Sequence, residues 1–388
     1  MQPRHYTQRG KPASRSLALY DKWLMLSVLG LLIIGLMMVA SSSVMISTKY
    51  FHQPFHFLVR QLAYLSAGLV LAIVIMRIDS SFWEKISAPL LLGCLLLLIL
   101  VLIPGVGRLV NGSRRWLALG PIGIQVSELA KLTMILYLSG YLVRQQERVH
   151  QNLMGFIRPM MVLAVVAVLL LAEPDFGATV VITGTVMAML FLTGVKLRYY
   201  LGLVFGVGIC LVVLAVSSPY RVARLTAFLN PWADQFNSGY QLTQSLIAFG
   251  RGGWLGTGLG DSIQKLFYLP EAHTDFVFAV LAEELGLIGV LLVLMLYSIL
   301  VIRGFTIGFI AYTQGRLFAA YTSYGLTFWL GFQAAINMGV NAGLLPTKGL
   351  TLPFLSYGGA SMVVNCIVMA LILRIDFENR RHALGLAK

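Results

Sequence analysis

The chain has 388 residues, of which 58% are hydrophobic and only 11% charged. A soluble domain carries about a quarter charged residues, so an ordinary soluble globular protein is excluded. The formal net charge of +14 does not mark a nucleic-acid partner, because the basic residues are scattered through short loops; a positive-inside bias accounts for them.

The first apolar stretch opens near Trp23, behind a polar and basic arm over 1–22, and runs to about Ser47. That length exceeds the apolar core of a signal peptide and predicts a retained first span. Further stretches of roughly 20 residues, enough to cross a hydrocarbon core, follow along the chain. The predicted spans, about ten by that length criterion, are 23–47, 56–76, 87–104, 125–142, 159–172, 176–194, 199–217, 276–302, 317–340 and 350–373. The expected fold class is all-α: a polytopic membrane protein with one transmembrane domain over 23–374 and a tail over 375–388. No internal repeat or low-complexity linker is visible. Cys94, Cys210 and Cys366 fall in apolar stretches and read as buried packing residues, with no disulfide or metal pattern.

With ten spans both termini share one side. Segments on that side, from Arg4 in the arm through Arg144 and Arg303 to Lys388, hold eighteen of the 29 Lys and Arg residues. Both termini are therefore expected in the cytoplasm. Two long connections fall outside. One covers 105–124; the other covers 218–274, joins spans seven and eight, and is rich in Gly, Gln and aromatics. A connection that long between packed spans is more often functional than idle, and short helices lying at the membrane surface are expected in it.

Charged groups inside apolar spans are costly, about 2.5–3.5 kcal/mol each on insertion scales, and so demand an explanation. Glu128 and Lys131 are three apart, share a helix face and can pair, either as a packing device or as the lining of a cavity. Glu283 and Glu284 are expected a turn or more inside the eighth span, at least one of them facing protein or a wet cleft. Arg114, Arg115 and Trp116 suit a phosphate-bearing headgroup, though Arg and Trp also serve as plain interfacial anchors. Glu173-Pro174-Asp175 reads as a tight turn whose acids are solvated, with cation binding as the alternative. Asp275 ends the long outer connection. It is either an ordinary helix N-cap or, crowded with Glu271 and His273 at a low-dielectric membrane mouth, a carboxylate tuned toward general-base work.

Four blocks of sequence together resemble the SEDS family of peptidoglycan polymerases, over nearly the whole chain after about residue 20, and its cell-division branch most closely. The first is Gly112-Ser113-Arg114-Arg115-Trp116 with Gln125-Val126-Ser127-Glu128-Leu129-Ala130-Lys131. The second is Glu173-Pro174-Asp175-Phe176-Gly177. The third runs from Gly239-Tyr240-Gln241 through Gly258-Leu259-Gly260 and Gln264-Lys265 to Tyr268-Leu269-Pro270-Glu271-Ala272-His273-Thr274-Asp275-Phe276. The fourth is Pro346-Thr347-Lys348-Gly349-Leu350-Thr351-Leu352-Pro353 with Ser356-Tyr357-Gly358-Gly359. Ala272 resembles the division branch, where the elongation branch has Arg. Departures from the family pattern include Val126 for Pro, Glu173 for Gln, Ala178 for Thr and Ala360 for Ser or Thr.

The resemblance implies a substrate, lipid II, which is a disaccharide-pentapeptide on undecaprenyl diphosphate. It implies Asp275 as the essential acid. It places Arg114, Arg115, Trp116, Glu128, Lys131, Gln264, Lys265, Glu271, His273, Lys348, Ser356, Tyr357, Gly358 and Gly359 in the substrate-binding region. Forming a β-1,4 bond from an α-linked sugar diphosphate inverts the anomeric centre. One carboxylate suffices, because a diphosphate leaves as an anion, whereas a glycoside hydrolase needs two. The leaving group's charge must be balanced by Arg114, Arg115, Lys348 or a divalent cation such as Mg or Mn; no organic cofactor is expected. Implied partners are membrane lipids, a class B penicillin-binding transpeptidase and other division proteins. The implied location is the bacterial inner membrane at the septum. A lipid II flippase, motivated by Glu128 and Lys131, and a non-catalytic scaffold are the competing readings.

Overall fold

The computed structural model describes residues 20–386 apart from 111–112, 120–121, 152, 218 and 348. Three helices open the chain: α1 (Lys22–Phe51), α2 (His56–Met76) and α3 (Ser80–Leu102). Asp21 caps α1, its side chain accepting from the Leu24 amide at 2.8 Å, which satisfies one of the orphan donors of a helix start.

A small antiparallel sheet follows, in the order β1 (Gly107–Val110), β2 (Ser113–Leu119) and β3 (Ile122–Gln125). Its register sets Trp116 opposite Arg108 on one side and Gln125 on the other. The protein is thus mostly helical, not wholly α. Connection 105–124 alternates apolar and polar residues over runs too short to stand out beside the spans.

The remaining helices are α4 (Val126–Arg144), α5 (Gln146–Gln151), α6 (Leu153–Ala172), α7 (Phe176–Leu192), α8 (Leu197–Val216), α9 (Pro219–Leu229), α10 (Tyr240–Gly252), α11 (Val277–Thr313), α12 (Leu317–Asn341) and α13 (Gly359–Ala383). Each of the ten predicted spans overlaps one helix. Seven of these helices are both long and apolar enough to cross a membrane. Short helices also form in the long connection, as expected there: α9, a single 3-10 turn over Pro231–Asp234, and α10. Of these, α10 is amphipathic and buries Leu242, Thr243, Ser245, Ala248 and Gly252.

Two of these expectations need correction. The last span was placed over 350–373, but α13 begins at Gly359. The residues before it form an irregular strand buried in the protein, with Leu350, Leu352, Phe354 and Leu355 all under 10% exposed. Irregular backbone at such depth must have its polar groups paired by protein. Here Gln333 Nε2 donates to the Thr351 carbonyl at 2.9 Å, Gln61 Nε2 to that of Ser356 at 3.2 Å, and the Ser356 hydroxyl accepts from the Leu352 amide at 2.8 Å. The Asn337 side chain and the Tyr297 hydroxyl take the carbonyls of Leu350 and Pro353. Hydropathy cannot distinguish such a strand from a span.

Cys210 is the second correction. Cys94 and Cys366 are buried, but Cys210 is exposed on α8, whose surface is apolar on nearly all sides, as suits a helix surrounded by lipid.

Glu283 and Glu284 lie as expected, more than a turn inside α11 and buried by protein, just before a break in that helix. Gly286 has φ +64° and ψ −163°, a conformation open essentially to glycine alone. The acids lie before this break, in the short segment of α11 over 277–285. Residues 253–258 of the long connection fill the break. The amides of Thr257 and Gly258 donate to the carbonyls of Glu283 and Glu284 at 2.9 and 3.1 Å. In return the amides of Leu287 and Ile288 donate to the carbonyls of Gly253 and Trp254 at 2.9 and 3.2 Å.

Gly256 makes that docking possible. It has φ +80°, and an added Cβ would fall on the Glu284 carbonyl. Gly256→Ala is expected to destabilise the protein by about 2–3 kcal/mol, through left-handed strain plus the clash. A thermal melt of the purified protein in detergent checks it. An unshifted midpoint would show that the loop does not dock in the break.

At the opposite end, ion pairs clamp five helices. Arg303 bonds Asp21, Arg380 bonds Asp376 at 2.9 Å, and Arg374 bonds both Asp79 and Glu378, the latter also paired with Arg316. These contacts join α1, α3, α11, α12 and α13.

Candidate active site

Asp275 ends a tight turn that begins at Glu271. The Thr274 and Phe276 amides both donate to the Glu271 carbonyl at 3.2 Å. Two side chains of α12 then hold the backbone of Asp275: Asn337 Nδ2 and Asn341 Nδ2 donate to its carbonyl at 2.9 and 3.0 Å. Asn341 Oδ1 accepts from the Ala279 amide at 3.1 Å, and its carbonyl accepts from the Ser245 hydroxyl at 2.7 Å. One α12 residue thus fixes the turn, the start of α11 and α10 together. The Asp275 side chain is half-buried and faces the buried strand, with Oδ2 3.0 Å from where a Cβ on Gly349 would stand. Glycine at 349 therefore leaves room beside the carboxylate.

His273 packs its ring against Phe57 at 4.8 Å and Tyr357 at 5.7 Å between centroids, and the Tyr357 amide donates to the His273 carbonyl at 2.9 Å. Burial lowers the His273 pKa, with Glu271 opposing, so the ring is neutral near pH 7. The Glu271 side chain is exposed and accepts from the Thr274 hydroxyl at 2.7 Å. Gly358 donates its amide to Gln61 Oε1 at 3.3 Å. A Cβ on Gly359 would meet the Tyr64 ring at 2.5 Å, so this glycine permits close packing of α13 on α2. Glu271, His273, Ser356, Tyr357, Gly358 and Gly359 are thus grouped near Asp275. Lys348 lies outside the described residues.

The other predicted residues form three separate groups. Lys131 bonds Glu128 at 2.8 Å and Gln333 Oε1 at 2.7 Å, and lies 4.8 Å from the Trp329 ring centroid. It is 1% exposed and is linked to the Asp275 region through Gln333 and the Thr351 carbonyl.

Lys265 bonds Glu284 Oε1 at 2.7 Å and the Ser41 hydroxyl at 2.8 Å. Glu283 takes Arg251 at 2.8 Å, the Ser262 hydroxyl, and the amides of Ile263 and Gln264 at 3.1 and 3.3 Å. Adjacent carboxylates point apart, and each is neutralised by its own cation.

Arg115 spans the sheet and the α6–α7 turn, donating to the carbonyls of Glu173 and Pro174 at 3.1 and 2.7 Å; Arg114 and Trp116 are half-buried beside it.

That turn contradicts the expectation of solvated acids. Glu173 is fully buried and Asp175 is 4% exposed. Asp175 caps α7 through the Ala178 amide at 3.1 Å, whereas neither carboxyl oxygen of Glu173 has a hydrogen-bond partner. Burial, reinforced by Asp175 and opposed by Arg115, pushes the Glu173 carboxyl up to about 8, so it is protonated near pH 7. A neutral Glu is close in shape to the Gln that the family resemblance expects at this position. Because the folded-state pKa is raised, the folded form holds a proton that the unfolded chain releases above about pH 4.5. Stability is then full below that pH and falls until about pH 8. Glu173→Gln is expected to abolish this slope and to stabilise the protein at pH 8 by roughly 2 kcal/mol. Melting temperatures of both proteins across that range are the check, and parallel curves would refute a buried neutral acid.

Sequence reasoning missed Gln333, Asn337 and Asn341. Their signal was present: three amides at four-residue intervals lie on one face of an apolar span. Polar side chains kept at such depth pair with backbone or mark function.

The helical membrane fold and this site define a class, which the comparisons then specify. The FtsW/RodA/SpoVE family, described as cell cycle proteins, matches residues 22–381, and the chain belongs to that family. It is 76% identical over 386 residues to a Legionella pneumophila protein named "Probable peptidoglycan glycosyltransferase FtsW", covering 100% of this chain and 98% of the relative. A Coxiella burnetii protein of the same name is 56% identical over 92% of this chain and 96% of its own length. Among solved structures, a chain from a peptidoglycan synthase complex described as coordinating polymerization and crosslinking superposes with a TM-score of 0.78 at 31% identity, over 94% of this chain and 99% of that one. RodA of Thermus thermophilus superposes at 0.68 and 29% identity, over 94% of this chain and 98% of its own.

Proposed function

We propose that the chain is a peptidoglycan glycosyltransferase that polymerises lipid II, with Asp275 as general base. The observation that carries this reading is the construction around Asp275. Two buried amides lock its backbone, while its half-buried side chain stands at the end of the long connection beside a glycine. A carboxylate so held can accept a proton without reorganising, as general-base catalysis requires.

The acceptor sugar's hydroxyl oxygen attacks the anomeric carbon of the donor as its proton passes to Asp275. The bond from that carbon to the diphosphate oxygen breaks, and undecaprenyl diphosphate departs as an anion. The configuration inverts in one displacement. Among the described residues no three His, Cys, Asp or Glu side chains come together. On this reading the charge balance falls to cationic side chains, with a divalent cation shared with the substrate diphosphate as the alternative. Arg115 is committed to backbone carbonyls; Arg114 and Lys348 are the remaining cations that the resemblance offers.

On this reading the Asp275 end faces the periplasm, both termini are cytoplasmic, and the protein works in the inner membrane at the septum. The likeness to the synthase complex supports a class B transpeptidase as partner. Lys131, which motivated a flippase together with Glu128, is engaged by Glu128, Gln333 and Trp329, which supports a packing role. The test incubates purified protein, together with its transpeptidase, with lipid II and separates the products on a gel. Long glycan strands support the proposal. Headgroup translocation in proteoliposomes without any polymer would overturn it in favour of a flippase.

A further inference from the structure

Two charged layers of this protein provide a ruler for the membrane. At one end Arg303 bonds Asp21. At the other, Ser41 and Lys265 bond Glu284. Ser41 follows Asp21 by twenty residues on α1, and Arg303 follows Glu284 by nineteen on α11. At about 1.5 Å rise per residue the layers are about 30 Å apart, the thickness of a hydrocarbon core. Between them α11 presents Ile288, Leu291 and Met295 at 51–56% exposure, a lipid-facing flank.

The loop that fills the α11 break lies inside this interval. Its Gly253 and Trp254 carbonyls bond the amides of Leu287 and Ile288, three and four residues below Glu284. That is about 5 Å past the boundary layer. Trp254 and Leu255 are nevertheless 75% and 78% exposed, continuous with the lipid-facing flank of α11. An irregular backbone survives at membrane depth only if its polar groups are paired by protein, and the four bonds across the break do that. An indole just inside the boundary is also where Trp is enriched in membrane proteins.

We propose that residues 253–258 form a re-entrant loop, with Trp254 and Leu255 inserted among the acyl chains of the bilayer leaflet at the Asp275 end. The tip is a membrane-binding surface, and its partner is bulk lipid. It grips the bilayer beside Glu284 and Lys265, and the segment over 277–285 carries that anchorage to Asp275.

The test uses full-length protein in nanodiscs of phosphatidylethanolamine and phosphatidylglycerol. Cys210→Ser removes the exposed thiol, and a nitroxide is attached at Trp254→Cys. Leu291→Cys is the lipid standard and Asp261→Cys the aqueous one. The expected label is as accessible to oxygen as that at 291, and several-fold less accessible to a water-soluble nickel chelate than that at 261. A second measurement keeps the native side chain. The emission difference between wild type and Trp254→Phe is expected to be quenched more by lipids brominated near the headgroup than by lipids brominated near the chain end. Nickel accessibility matching position 261, or quenching of Trp254 by aqueous iodide, would overturn the proposal. Protection of position 254 only after the transpeptidase is added would also overturn it, by assigning the tip to a protein partner.

Discussion

Asp275→Asn is expected to slow glycan polymerisation by about 10²–10⁴-fold, the usual contribution of a positioned base. The substitution keeps the shape of the side chain. It also keeps the backbone carbonyl on which Asn337 and Asn341 converge, so the turn over 271–276 should be undisturbed and the melting temperature nearly unchanged. An amide cannot accept the hydroxyl proton, and that loss falls on the chemical step. Gel analysis of glycan strands, run beside a thermal melt, separates loss of chemistry from loss of fold. Polymerisation at the wild-type rate would remove Asp275 from the base role. Loss of both activity and melting temperature would make it a structural residue.

The second large effect belongs to Lys131→Met. Lys131 is 1% exposed and holds Glu128 and Gln333 at 2.8 and 2.7 Å. Removing the ammonium leaves a carboxylate buried without its cation, and one such orphan costs about 3–5 kcal/mol. The damage should spread, because Gln333 also pins the Thr351 carbonyl and so helps fix the strand that faces Asp275. Activity should therefore fall with stability, although Lys131 touches no part of the turn over 271–276. The double variant Glu128→Gln/Lys131→Met replaces the ion pair with neutral groups of similar volume and should recover most of the stability, since the desolvation cost of both charges disappears. Denaturation midpoints of the wild type, both single variants and the double variant form the cycle that measures the coupling. A single variant as stable as the wild type would show that water reaches the pair, and the cavity-lining reading would then stand.

The spans were legible because their cause is local. A helix crossing lipid must pair its own backbone and present apolar side chains along its length, so each span is written in consecutive residues. For the same reason the amides of Gln333, Asn337 and Asn341 could have been found by their spacing alone. Asp275 was legible as a candidate from motif resemblance, but nothing nearby in sequence told that its support comes from α12, more than sixty residues on.

What only the tertiary structure decided is where backbone polar groups are paired across the chain. The break at Gly286 is filled by residues from another segment, so the apolar run over 276–302 is not one continuous helix. The strand before α13 borrows its partners from α2, α11 and α12, so an apolar run that reads as helix is not one. Arg115, from a sheet nearly sixty residues earlier, bonds the backbone of the turn that holds the buried Glu173. Hydropathy averages over neighbours in sequence. It fixes which segments enter the membrane. Long-range hydrogen bonds, invisible to any local average, fix which polar groups can follow them in.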